Sequence, residues 1–184
     1  GAPRARARPA LLERVPVDRA LRPGMWAVGA HLVALDNSRT MLTKASRTCI
    51  DQKLTNVELI EGGTDKLLAR GDAFDLIVAN MVLHHVPSPA DIFLDAAALM
   101  NSGGCFIVSD LCTHDQAWAK ENCGDLLLGF GHADLTAWAA HPGLTAGENL
   151  FSGRPNGAPS QARERVQTAH NGGRASERSQ TTTT

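Results

Sequence analysis

The chain reads as an α/β fold built on a doubly wound, mostly parallel sheet. Three observations point there. Short apolar runs recur: AHLVAL at 30–35, NVELIE at 56–61, FDLIVA at 74–79 and CFIVS at 105–109. Each ends in a polar or small residue, namely Asp36, Gly62–Gly63, Asn80 and Asp110. Between the runs lie stretches with apolar residues at helical spacing, separated by glycine turns. Strands that alternate with helices form parallel sheets. Polar strand ends put a ligand site beyond the carboxyl edge of such a sheet.

Taken in order, residues 1–24 are rich in Pro, Arg and Ala and read as a flexible segment, where only Leu11–Val15 could start a short helix. AHLVAL is a buried strand running into Asp36. Asn37 or Ser38 then caps a helix carrying Met41, Leu42, Ala45 and Cys49. NVELIE is the next strand, closed by Gly62–Gly63, and Ala69 to Ala73 is turn-like. Phe74 to Ala79 is nearly all apolar, as expected of a parallel strand covered on both faces. Ser88–Pro89 starts a mostly apolar helix, with Asp91 in its first turn where the helix dipole favours a carboxylate. Asn101–Gly104 ends that helix, and Cys105 to Ser109 is a strand running into Asp110. Beyond it, Asp115–Asn122 and Asp134–Ala140 read as helices, and Leu144–Phe151 as a weak edge strand. Residues 152–184 hold one aliphatic side chain larger than alanine, Val166, and read as a disordered polar tail. The domain proper is thus 25–151.

Charge is unevenly spread. Residues 1–24 carry +4, 25–151 carry −8 and 152–184 carry +3, for a net charge of −1. An acidic middle argues against nucleic acid as the partner of this domain. No apolar run approaches the roughly 20 residues of a membrane span, and no secretory signal is evident. The arginine-rich start from Gly1 has the composition of a transit peptide or of a truncated chain. Cys49, Cys105, Cys112 and Cys123 form no CxxC pair, which favours reduced thiols and a cytoplasmic location. Neither HxxxH nor paired-cysteine spacing marks a metal site.

The motifs VALDNS (33–38), NVELIEGGT (56–64), FDLIVANMVLHHVPSPAD (74–91) and GGCFIVSDLCTHDQAW (103–118) carry a family resemblance. The pieces GDLLLGF, ADLTAWA and GL between 124 and 144 extend it. Together they resemble class I S-adenosylmethionine-dependent methyltransferases, which have a Rossmann-like sheet. In detail they are similar to the methyltransferase-like domain that follows an arsenic-repressor-type winged helix in bacterial fusion proteins. The resemblance implies S-adenosylmethionine as cofactor and a small-molecule methyl acceptor. It places Asp36 and Asn37 at the ribose hydroxyls, and Gly62 and Gly63 at the adenine, with Asp65 as a nearby acid. It places the backbone of Asn80 and Met81 beside the adenosine and sulfonium. His85 and His114 would face the acceptor, since imidazole is a competent proton acceptor near neutral pH.

The chain departs from that pattern in two places. The family's first strand leads into a glycine-rich loop standing roughly 18 to 20 residues before the ribose acid. Counting back from Asp36 reaches Pro16–Asp18, where there is no glycine. The first strand, its loop and most of its helix therefore read as excised, and the terminal hairpin as replaced by the polar tail. The expected sheet is accordingly incomplete. Two functions remain open: methyl transfer, or a non-catalytic regulatory or scaffold remnant of a rearranged gene. Another Rossmann-like nucleotide binder ranks third, because it too would want the glycine loop.

Overall fold

The structure, a computed structural model, describes residues 9–13, 31–115, 125–140, 144–152 and 164–171. Its strands are β1 (Pro9–Glu13), β2 (Leu32–Asp36), β3 (Val57–Glu61), β4 (Phe74–Asn80), β5 (Met100–Leu111), β6 (Thr145–Ser152) and β7 (Glu164–His170). Its helices are α1 (Arg39–Asp51), α2 (Thr64–Arg70), α3 (Pro89–Leu99) and α4 (His132–Ala139), with a 3-10 turn at Leu83–His85. The strands form one sheet in the order β3-β2-β1-β4-β5-β7-β6. The strands β1 to β5 run parallel, and β7 lies antiparallel between β5 and β6. This is the Rossmann-like α/β sheet the sequence predicts.

The sheet is not missing its first strand or its hairpin. Pro9–Glu13 occupies the centre, paired with β2 on one side and β4 on the other. The run PALLE is too short to show a period, and it becomes a strand because parallel neighbours satisfy its backbone on both sides. Proline is tolerated at its first position, where a missing N–H costs least. Leu11–Glu13 is therefore strand, not the start of a helix. At the other end, Glu164–His170 pairs with β5 over seven residues and with β6 beyond it. That stretch reads as tail in the sequence because ERVQTAH holds so little apolar surface. Its place comes from the ladder to β5 and from Ala169, which is buried.

Helix α1 covers one face, where Ala45 packs with Leu32 and the half-buried Cys49, Leu54, Val57 and Leu59. Helices α2, α3 and α4 cover the other. Leu67, Phe93, Ala96, Leu99, Leu135 and Ala139 there meet Val33, Ile77, Phe106 and Val108 of the sheet. Phe93 stacks edge-on against Phe106 at 5.2 Å between ring centroids, an arrangement favourable beyond its buried area. Ser38 is the cap of α1, its Oγ accepting from the Met41 N–H at 3.4 Å. Ser88 stands at the N-cap of α3, but its side chain makes no capping bond, and Pro89 starts the helix. Helix α2 replaces part of the expected turn. Asn101–Gly104 is the bulged start of β5 rather than a loop, since the register slips between Phe74 and Leu76.

Among the described residues no helix is long and apolar enough to cross a membrane. Cys49, Cys105 and Cys112 are free thiols. Burial pushes the thiols of Cys49 and Cys105 up, which makes them poor nucleophiles at neutral pH. The expected helix over Asp115–Asn122 lies almost wholly outside the described residues.

Candidate functional site

The strand order reverses between β1 and β4, and the carboxyl ends of the parallel strands meet there. Register pairs Glu13 with Asn80 and Asp36 with Glu61, so these strand ends share one edge. Beside that edge opens a cleft of about 600 Å³, solvent at its mouth included, lined by Asp36, Asn37, Gly62, Gly63, Val82 and His85 with apolar neighbours.

Asp36 reaches the cleft because it is the last residue of β2, and it is almost fully buried there. Its Oδ1 accepts from the Ser38 N–H at 2.6 Å, so it both steadies the turn into α1 and holds a carboxylate at the strand end. Gly62 faces it, its N–H donating to the Asp36 carbonyl at 3.1 Å. Gly62 has φ of +144°, and a Cβ there would come within 2.7 Å of the Lys66 side chain. Only glycine fits that backbone. Thr64, next in the wall, is held by its hydroxyl bond to Asp95 on α3.

The opposite wall comes from the turn after β4. Asn80 ends the ladder, and the Met81 N–H donates back to the Ser109 carbonyl at 2.8 Å. Met81 takes φ of +54°, a left-handed conformation that side chains disfavour. Among the described residues neither Asn80 nor Met81 lines the cleft; they turn the chain so that Val82 and His85 do. The 3-10 turn brings His84 and His85 onto one side, with ring centroids 4.0 Å apart.

The two histidines part company at that point. His84 is buried, and its Nδ1 lies 2.6 Å from Asp110 Oδ1. Asp110, fully buried, also accepts from the Leu83 N–H at 2.8 Å and the Leu111 N–H at 2.7 Å. Asp110 is thus a clamp joining β5 to the turn after β4, although it ends a strand as a ligand residue would. His85 lines the cleft, with its Nδ1 3.6 Å from Asp125 Oδ1. His114 is not brought to the cleft. Its backbone N–H donates to the Leu128 carbonyl at 3.0 Å, holding the segment after β5 against the one before α4. Its position after β5 suggested a substrate contact, and it is not among the residues that line this cleft.

Asp125 is the residue that sequence reasoning missed. It lies 40 positions after His85 with no motif linking them. It arrives because Leu126 and Leu127 donate their N–H groups to the His84 carbonyl at 2.8 and 3.0 Å. The run GDLLLGF carried a family signal, yet nothing in it marks Asp125 as a partner of the histidines.

This sheet order, with a cleft at the carboxyl edge of its parallel strands, is that of a Rossmann-like domain. The chain belongs to a methyltransferase domain family whose model matches residues 25–139, well over half of its length. No curated protein sequence matches it. Among solved structures it is similar to a provisionally named sarcosine dimethylglycine methyltransferase from Galdieria sulphuraria, at 11% identity and a TM-score of 0.72, over 90% of this chain and 78% of that one. It is similar to a SAM-dependent methyltransferase from Aquifex aeolicus at 11% identity and a TM-score of 0.67, over 90% of this chain and 82% of that one. It is also similar to the [4+2]-cyclase SpnF, at 12% identity and a TM-score of 0.69, over 91% and 75% of the two chains. Likeness at such identities concerns the fold, and a cyclase among these neighbours shows that the fold serves more than one chemistry.

The family implies S-adenosylmethionine as cofactor, and one end of the cleft suits it. Asp36 offers a buried carboxylate at the strand end, and Gly62 offers backbone that no side chain could replace. The segment that would meet the methionine end is different. RVPVDRALRP, which follows Glu13 at the end of β1, contains no glycine. Its structure lies outside the described residues.

Proposed function

We propose that this domain binds the adenosyl part of S-adenosylmethionine in the β2–β3 cleft, and that its chemistry is methyl transfer to a small-molecule acceptor. One observation carries the reading. Four residues chosen from sequence for cofactor binding, Asp36, Asn37, Gly62 and Gly63, line the same cleft as His85, chosen for catalysis. Asp36 would accept from the ribose hydroxyls, a charge-assisted pair stronger than a neutral one. The backbone at Gly62–Gly63 would flank the adenine. The bound sulfonium supplies an electrophilic methyl group for in-line displacement. His85, on the other wall, is placed to take the proton of the attacking nucleophile. The finer likeness, to domains fused behind a winged-helix repressor, rests on the motifs between residues 33 and 144.

The glycine-free run after β1 favours a second reading, a regulatory or scaffold domain that keeps the fold with little catalysis. Glycine loops let backbone approach the ligand closely, and without one the methionine end gains few contacts. Calorimetry on the full chain separates the cases. S-adenosylhomocysteine should bind more weakly than micromolar, and methylthioadenosine, which lacks the amino-acid end, should bind within about tenfold of it. Micromolar S-adenosylhomocysteine binding far tighter than that of methylthioadenosine would show the methionine end to be held after all. If neither ligand bound at millimolar concentration, the adenosyl reading would be lost and the scaffold reading would stand.

A further inference from the structure

Next to His85 in the cleft wall lie two donors, on His84 and Asp125, that methyl transfer does not use. His84 Nδ1 is engaged by Asp110, which turns the other ring nitrogen, Nε2, towards Asp125. Asp125 Oδ1 sits 3.8 Å from His84 Nε2 and 3.6 Å from His85 Nδ1. The three atoms lie within 4.8 Å of one another. Asp125 is 6% exposed, and its Oδ1 accepts no hydrogen bond among the described residues. A buried carboxylate oxygen left in that state is costly.

We propose that His84 Nε2, His85 Nδ1 and Asp125 Oδ1 bind a divalent first-row transition-metal ion, with zinc the best match. The separations carry the argument. At 3.6 and 3.8 Å the carboxylate oxygen is too far from either ring nitrogen for a hydrogen bond. A shared proton would draw the pair to about 2.7–2.9 Å. Donors about 2.0–2.1 Å from a tetrahedral zinc ion stand roughly 3.4 Å apart, close to the two separations from Asp125 Oδ1, and the two ring nitrogens lie within 4.8 Å of each other. Two imidazole nitrogens and one carboxylate suit zinc and its neighbours, whereas magnesium and calcium prefer oxygen alone. The Asp110–His84 bond is the support that metal-bound histidines usually have, a carboxylate on the far nitrogen that fixes ring and tautomer. Three protein ligands leave one tetrahedral position open. Because His85 also lines the cleft, the ion would border it. With a metal on Nδ1, the remaining nitrogen of His85 becomes a donor, so the loaded and unloaded protein would present different chemistry to the cleft. The inference does not depend on methyl transfer, since metal uptake is measured without cofactor or acceptor.

The test uses the full chain stripped with EDTA. Zinc is added in a calorimeter, and cobalt(II) is followed by visible absorption. One ion per chain is expected, with d–d bands of a low-coordinate nitrogen–oxygen site and a higher thermal midpoint in the presence of metal. Asp125→Asn keeps the shape and should weaken uptake at least tenfold. Asp110→Asn removes no ligand and should weaken it about 10–100-fold. Circular dichroism checks that each variant folds, and His85→Gln, at a less buried ring, stands in if Asp125→Asn does not. No uptake by the unaltered chain overturns the proposal. So does uptake unchanged in Asp125→Asn and His85→Gln, because the five other histidines and four cysteines would then hold the ion.

Discussion

The two walls of the cleft are built in opposite ways. The Asp36–Gly63 wall comes from short contiguous motifs, each at the end of a strand that pairs in register with the next. The wall of Val82 and His85 is backed by His84 together with Asp110 and Asp125, which are 26 and 41 residues removed from His84, and all three are buried. A wall made of strand ends is set by local sequence and tolerates side-chain loss, because its backbone is held by the sheet. A wall made of buried polar groups holds together only while every partner is present. The first should answer to mutation mainly in ligand binding, the second mainly in stability.

The largest effect should therefore come from Asp110→Ala. It strips a buried carboxylate from His84 and from the N–H groups of Leu83 and Leu111. Breaking such a set is expected to cost about 3–5 kcal/mol, read as a fall in the urea midpoint. A cost below about 1 kcal/mol would show that the clamp is no more than a surface-grade contact. Next comes Gly62→Ala. With φ at +144° and Lys66 against the new Cβ, it should lose about 1–3 kcal/mol and also narrow the cleft.

Asp36→Ala probes the other wall. It should weaken methylthioadenosine binding about tenfold to a hundredfold, while denaturant stability falls by about 1 kcal/mol for the lost bond to Ser38. If stability fell while binding stayed, Asp36 would be a helix-start residue and no more. His114→Ala should leave methylthioadenosine binding unchanged within twofold, because the residue does not line the cleft. The smallest effect concerns pH. The guanidinium of Arg70 bonds Glu58 and, with His31, holds its carboxyl below the usual carboxylate range. A lowered folded-state pKa stabilises the fold above the ordinary carboxylate pKa, and that contribution is lost as pH falls through the lowered value. Glu58→Gln should thus lose a little stability at neutral pH, flatten the acid limb of the stability profile, and match the unaltered chain once pH has fallen below the lowered value.

Legibility in the sequence followed distance along the chain. LVALD, VELIE and FDLIVAN announced themselves as strands because each is a short apolar run closed by a polar or small residue, and Phe74–Ala79 is apolar enough to be covered on both faces. Asp36, Gly62 and Gly63 could be named from their positions just past those strands. Helix α4 was legible from Leu135 and Trp138. The strands β1 and β7 were not. PALLE is too short for a period and begins with proline, and ERVQTAH is too polar to suggest a sheet. Each is a strand only because a neighbour offers a ladder on its edge. The glycine-free run after β1 was read correctly as sequence, but its inferred cause was wrong, since the strand before it is in place.

By itself, then, the sequence determined the alternation of strands and helices and the polar strand ends at Asp36 and Gly62–Gly63, all of which depend on contacts within a few positions. Only the tertiary structure decided that Pro9–Glu13 is the central strand and that the tail returns as β7. It alone decided that His84 and His85 have different roles, and that Asp125 meets them both. Those outcomes depend on pairing between segments tens of residues apart, and no local pattern of apolar and polar residues records which distant backbone or carboxylate will close the contact.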